Sequence, residues 1–154
     1  MSNAFFNVPV AKNEPVRPYA PGTSEHSSLI AKYKELKNQA PIDVPMYIGH
    51  QKVHTANKVA MTMPHDHQTV LGHFNMGDAS HVEAAIAAAL QAKSAWAALP
   101  WQERAAVFLR AADLLAGPFR DRMNAATMLA QSKNVFQAEI DAACELIDRS
   151  EERR

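Results

Sequence analysis

Histidine and cysteine are the side chains of this sequence that could bind a metal or attack an electrophile, and both can be weighed by spacing. His65-Asp66-His67 lies close to His50, His54 and His73. Two histidines at i and i+2 on a strand share a face, which zinc can use. No zinc-binding spacing is met, so residues 64–69 are expected to form a polar loop and no metal ligand is assigned. Cys144 is the single thiol. It sits beside Ala143, four residues after Ile140, on the apolar side of a predicted helix that holds no histidine to raise its thiolate fraction. It is expected to pack as a small apolar residue. The glycines Gly22, Gly49, Gly72, Gly77 and Gly117 are scattered singly, so no phosphate-cradling loop can be located. Trp96 and Trp101 flank the turn between two predicted helices and read as packing anchors. Glu103, Arg104, Arg110, Asp113, Arg120, Asp121 and Arg122 read as a solvated helical surface. From the residues alone the expected catalytic, cofactor-binding and metal-binding sets are therefore all empty.

The elements that would position any chemistry fall into three zones. Residues 1–42 form an arm punctuated by Pro9, Pro15, Pro18, Pro21 and Pro41. One helix lies inside it, with Ser24 as its predicted cap and Leu29, Ile30, Tyr33 and Leu36 as its apolar face. Residues 43–77 read as short strands: Val44, Met46 and Ile48 alternate, Gly49-His50 offers a turn, and Val59, Met61 and Met63 repeat the period. Residues 70–74 add another, and spacing alone predicts an antiparallel meander.

From Asp78 onward the period becomes helical. Ser80-His-Val-Glu83 forms a potential capping box, with Asp78 as a competing cap. Val82, Ile86, Ala89, Lys93 and Trp96 mark one face, widened by Leu90 and Ala97. A second helix begins near Pro100, carries Val107, Phe108, Ala111, Leu114 and Leu115, and stops at Gly117-Pro118. A third carries Met123, Ala126, Thr127 and Leu129. The fourth opens at Asn134, with Gln137 three residues on and the stripe Phe136, Ile140, Ala143 and Ile147. It is expected to run to Asp148 and give way to a divergent charged tail over 149–154. The order gives an incomplete α+β fold: short antiparallel strands followed by about four helices.

Composition narrows the partners. With 154 residues, 47% hydrophobic and 21% charged, the chain has room for one globular domain. Sixteen basic and sixteen acidic residues cancel, so no global charge argues for nucleic acid or an anionic membrane. No apolar run approaches bilayer length. The first ten residues lack the pattern of a secretory signal and no arginine precedes Arg17, so a cytoplasmic location is expected, with the mitochondrial matrix as the alternative in a eukaryote.

Several stretches carry a resemblance. Residues 78–99, closing in Ala-Trp-Ala-Ala-Leu, and Trp101-Gln-Glu-Arg-Ala-Ala-Val-Phe-Leu-Arg-Ala-Ala-Asp-Leu-Leu115 resemble the N-terminal part of the aldehyde dehydrogenase superfamily. Asn13-Glu-Pro-Val16, the Pro-Gly-Thr-Ser-Glu helix start, Leu115-Ala-Gly-Pro118 and Gln137-Ala-Glu-Ile-Asp-Ala-Ala-Cys-Glu-Leu-Ile-Asp148 are similar to its delta-1-pyrroline-5-carboxylate dehydrogenase branch. The resemblance implies the N-terminal part of an α/β dehydrogenase fold, with residues 78–148 as a helical part of its coenzyme-binding domain. It implies NAD-dependent oxidation of L-glutamate gamma-semialdehyde to L-glutamate in proline catabolism, by a homo-oligomeric enzyme. The family's nucleophilic cysteine, general-base glutamate, oxyanion asparagine and coenzyme-binding lysine match no residue here, and Cys144 does not match the nucleophile's motif. At Arg149 the family continues with an aromatic segment, whereas this chain has Arg-Ser-Glu-Glu-Arg-Arg154. The expectation is an N-terminal fragment that is inactive alone, binds no NAD, and has the missing C-terminal part as its partner. The alternative is a stand-alone interaction protein built on the same segment.

Overall fold

The computed structural model describes residue 10 and residues 12–152; Pro9 and the last two tail residues lie outside the described residues. Helix α1 spans Ser24–Asn38, and its cap is Thr23 rather than Ser24: the Thr23 hydroxyl accepts the His26 N–H at 3.3 Å. Leu29 and Leu36 are buried, with Tyr33 packed beside them.

Five strands follow: β1 Ile42–Val44, β2 Met46–Ile48, β3 Gln51–Val53, β4 Lys58–Met63 and β5 Asp66–Asn75. They do not form one meander. The alternating run Val44, Met46, Ile48 is cut at Pro45, and its halves enter different sheets, because a proline cannot donate to a ladder. β2 and β3 form an antiparallel hairpin around Gly49-His50, where Gly49 supplies a φ of +60°. β1 pairs with β5 in parallel, Ile42 opposite Gly72, and β4 pairs with β5 antiparallel, giving the order β1-β5-β4. The expected loop over 64–69 shrinks to a turn at Pro64-His65, and β5 begins at Asp66. Gly72 permits the close approach of β1: a Cβ there would lie 2.5 Å from the Ile42 carbonyl oxygen. Buried Asn75 joins the pieces, donating from Nδ2 to Asp43 Oδ1 at 2.8 Å and to the Val44 carbonyl at 2.9 Å, while its Oδ1 accepts the Thr55 N–H at 2.7 Å.

The helices are α2 Ala79–Ala98, α3 Trp101–Ala116, α4 Arg120–Gln131, α5 Val135–Ala138 and α6 Glu145–Glu152, with a π-helical turn over Glu139–Cys144 between the last two. Asp78 is the cap of α2, reciprocated by His81, and the alternative box at Ser80 is not used. Gly117 ends α3, and Asn134 with Gln137 forms a capping box at α5. The core lies between α1, α4 and the β4–β5 hairpin: Tyr19, Leu29, Leu36, Met63, Ala125 and Leu129, with Leu71, Met128 and Val135 against it.

Two helical expectations are corrected. The final helix does not give way after Asp148 but continues through Glu152, since Arg, Ser and Glu are acceptable helix residues even where they carry no apolar stripe. Its buried set matches the predicted stripe at Ala143 and Ile147 and departs from it at Phe136, with Ala138 and Glu139 added. Phe136 is 59% exposed, whereas Ala138, Glu139, Ala143, Cys144 and Ile147 are buried. A π turn is wider than an α turn, so residues five apart, 138 with 143 and 139 with 144, come onto one side.

Candidate functional site

Among the described residues, a dense buried polar arrangement is built where the arm crosses α4 and the π turn. Arg120 and Glu139 are 1% and 0% exposed, so the expectation that Arg120 belongs to a solvated face is overturned. A buried charge persists only if it is paired and its hydrogen-bonding capacity is used, and both conditions are met. The Arg120 guanidinium donates to Glu139 from Nε at 3.2 Å and from Nη2, to the Glu14 carboxylate from Nη1, and to the Pro15 carbonyl at 2.8 Å. Glu139 also accepts the Arg17 backbone N–H at 2.9 Å, the Tyr19 hydroxyl at 3.0 Å and Asn124 Nδ2 at 2.7 Å. Tyr19 reaches this position with a φ of 46°, a left-handed conformation unfavourable for a residue with a Cβ.

Protonation follows from these contacts. Burial alone would raise the Glu139 carboxyl, but Arg120, the Arg17 amide, Asn124 and Tyr19 outweigh it, and its pKa is lowered. Burial would lower Arg120, yet Glu139 and Glu14 hold it firmly protonated. Tyr19 is pushed up to about 12, chiefly by burial and then by the Glu139 charge. The Cys144 thiol is pushed up to about 11 by burial and by Glu139, so at neutral pH it is a thiol and not a nucleophile.

The histidines do not converge on a metal. His54 Nδ1 lies 3.0 Å from Asp43 Oδ2, His65 Nδ1 lies 2.6 Å from Ser132 Oγ, and His81 caps α2. Among the described residues no group of three His, Cys, Asp or Glu side chains could hold a metal ion.

A second feature is apolar and open. On α2, Val82, Ile86 and Leu90 are 60%, 55% and 63% exposed, and no residue of that helix is buried. Its predicted apolar face therefore exists but is not covered by this chain. Trp96 and Trp101, expected as packing anchors, are 41% and 46% exposed.

The aldehyde dehydrogenase family profile matches residues 51–151, well over half of the sequence. The chain belongs to the aldehyde dehydrogenase family. Delta-1-pyrroline-5-carboxylate dehydrogenase of Agaricus bisporus is 49% identical over 145 residues, 94% of this chain and 27% of that protein. The human mitochondrial delta-1-pyrroline-5-carboxylate dehydrogenase is 40% identical over 136 residues, covering 88% of this chain and 24% of the relative. Among solved structures, the Mycobacterium tuberculosis delta-pyrroline-5-carboxylate dehydrogenase bound with NAD and cobalamin superposes with a TM-score of 0.93 at 49% identity, over 98% of this chain and 28% of that one. The chain thus spans about a quarter of the relatives it matches, and it has the N-terminal part of an aldehyde dehydrogenase fold.

The Mycobacterium tuberculosis relative is bound with NAD, a coenzyme that carries a pyrophosphate. A pyrophosphate needs clustered backbone amides or cationic side chains. Here Gly49 serves the β2–β3 turn, Gly72 the β1–β5 approach and Gly117 the end of α3. A space of about 740 Å³ beside the β2–β3 turn is lined by Ile48, Gly49, His50, Gln51 and the alanines and Gln91 of α2, with no lysine or arginine. A smaller one of about 170 Å³ is lined mainly by apolar residues, including Leu36, Met61 and Leu71.

The sequence missed this polar cluster. Arg120 and Glu139 sit 19 residues apart and their arm partners more than 100 away, and each reads locally as an ordinary surface charge. The signal available was Glu139 itself, a charge in the middle of an otherwise apolar side of the last helix.

Proposed function

We propose that this chain serves as the N-terminal portion of an NAD-dependent dehydrogenase that oxidises L-glutamate gamma-semialdehyde, from 1-pyrroline-5-carboxylate, to L-glutamate. The observation that carries the reading is the match to one group of enzymes, at 49% identity and a TM-score of 0.93, over nearly the whole of this chain and about a quarter of theirs. The uncovered face of α2 supports it, because Val82, Ile86 and Leu90 on one helix need a partner surface.

The chain supplies scaffold, and its partner is the remaining part of the same enzyme. Oxidation of the aldehyde requires a nucleophile, a base for water and a hydride acceptor. The one cysteine is protonated at neutral pH and buried, the best-buried carboxylate is fully bonded to Arg120, and no coenzyme cradle is formed by the residues described. The 154 residues alone are accordingly inactive. The compartment is that of the whole enzyme: the mitochondrial matrix in a eukaryote and the cytoplasm otherwise.

The test is to assay NADH formation from 1-pyrroline-5-carboxylate with the purified chain, and again after co-expression with the remaining region of a relative. No turnover alone and turnover after complementation are expected. Turnover by the chain alone would overturn the assigned inactivity, and failure to complement when both pieces are soluble and associated would overturn the scaffold role.

A second reading is favoured by the packed core around Tyr19, Leu29, Met63 and Leu129, which lies wholly within this segment. It is a chain that folds by itself and pairs with full-length subunits. A cooperative thermal transition together with co-purification on a full-length subunit is its expected result. An aggregated product without a transition removes it.

A further inference from the structure

The crossing of the arm over the π turn has the geometry of a clasp. Residues Glu14 to Tyr19 meet four separate elements. The Glu14 N–H donates to Asp148 Oδ1 on α6 at 2.7 Å, and the Glu14 carboxylate and the Pro15 carbonyl accept from Arg120 on α4. The Arg17 and Tyr19 donors both end on Glu139 in the π turn, and Arg17 Nη2 donates to the Ala116 carbonyl at the end of α3 at 3.3 Å. No regular secondary structure holds these arm residues. Most of these bonds converge on one buried ion pair, and Tyr19 is packed into the core as well.

The π turn has a matching need. Its wide register turns Glu139, which an exposed helix would leave in water, into the wholly buried centre of the cluster. Without partners that buried carboxylate would force the turn to open. We propose that residues 14–19 form a strap that closes over the π turn, locked by the Glu139–Arg120 pair, and that this closure holds α5 and α6 in their register against α3 and α4. The strap is a conformational device of the fold, and it stands whether or not the enzymatic reading does.

Cys144 provides the readout. It is the one cysteine of the sequence, it is buried, and its Sγ lies 4.0 Å from the Pro15 carbonyl of the strap and 3.4 Å from Arg120 Nη2. Arg120 and the strap's Pro15 are among the groups that cover it, so lifting the strap opens it to a thiol reagent. The experiment is to follow labelling of Cys144 in the full chain, with low concentrations of urea added to separate local opening from global unfolding. Local opening gives a rate nearly independent of urea.

Glu139→Gln keeps the size of the side chain but leaves buried Arg120 with only the partly exposed Glu14 carboxylate as counter-charge, so labelling is expected to rise by about 10-fold or more. Tyr19→Phe removes the strap's hydroxyl, which donates to Glu139 and accepts from Asn124 Nδ2 at 3.0 Å, and is expected to raise it by several-fold, with circular dichroism unchanged. Lys32→Ala, which breaks an exposed pair with Glu35 on α1, is the control and leaves the rate as it was. If Glu139→Gln stays folded and labels no faster than the parent, the strap is refuted. If Glu139→Gln fails to fold, Tyr19→Phe decides: urea-independent acceleration supports the strap, and an unchanged rate overturns it.

Discussion

Glu139 accepts from Arg120 and Asn124 on α4 and from the Arg17 amide and the Tyr19 hydroxyl on the arm. Four donor groups on one buried carboxylate explain why a charge survives there, and they also fix what its loss costs. Truncating Glu139 leaves buried Arg120 only the partly exposed Glu14 carboxylate, so Glu139→Ala is expected to destabilise the chain by up to about 3–5 kcal/mol, read from the shift of its urea midpoint. The pair also sets the pH response. The Glu139 pKa is lowered from 4.5, so its contribution is complete above that value and is lost as pH falls through the lower folded-state value. Tyr19 and Cys144 act in the opposite sense. Their pKa values rise from 10.0 to about 12 and from 9.0 to about 11, so the stability tied to their neutral forms is complete below pH 9 and is lost between there and about 12. Thermal melts across the pH range should show both declines, and Tyr19→Phe should remove part of the alkaline one while sparing the acid one in sign.

At the scale of elements, the mixed sheet depends on how near two strands can come. A Cβ at residue 72 would lie 2.7 Å from Ile42 Cγ1 and 2.9 Å from Met61 Cε, besides its clash with the Ile42 carbonyl. Gly72→Ala must therefore push β1 away from β5 or shift Met61, and about 1–3 kcal/mol of destabilisation is expected in a denaturation experiment. Gly49→Ala meets little, with Ala88 Cβ at 3.5 Å, so its cost comes from the φ of +60° and should be smaller, about 1 kcal/mol. Local signals were readable in the sequence here. The Asn134–Gln137 capping box and the Gly117 stop appear where the spacing placed them, because both are made by residues three or four apart. The parallel pairing of β1 with β5 was not readable. Ile42 and Gly72 are 30 positions apart, and alternation reports which residues share a face but not which strand lies alongside.

For the whole molecule, the contrast is between a closed core and an open helix. The residues around Leu29, Met63 and Leu129 are buried by this chain, whereas Val82, Ile86 and Leu90 on α2 are not. An Ile86→Ser/Leu90→Ser variant should hardly change the stability of the isolated chain, within about 0.5 kcal/mol, since exposed positions carry little packing. The same variant should lower hydrophobic-dye fluorescence and weaken complementation by the remaining region of a relative. A stability loss of several kcal/mol in the isolated chain would mean that the face is already covered.

The sequence by itself determined that helices follow Asp78, the Gly117 stop and the Asn134–Gln137 cap, the apolar stripe of α2, and through its motifs the aldehyde dehydrogenase family. Those properties depend on neighbours within one or two turns, or on words of sequence. Tertiary structure alone decided which charge goes inside. Arg120 and Glu139 look like their exposed neighbours Arg122 and Asp141, and what separates them is the arm that closes over them. Burial of a charge is favourable only when all its partners arrive together, and here those partners come from opposite ends of the chain. For the same reason, only the fold could reveal that the side of the last helix turned toward the core is set by a π turn.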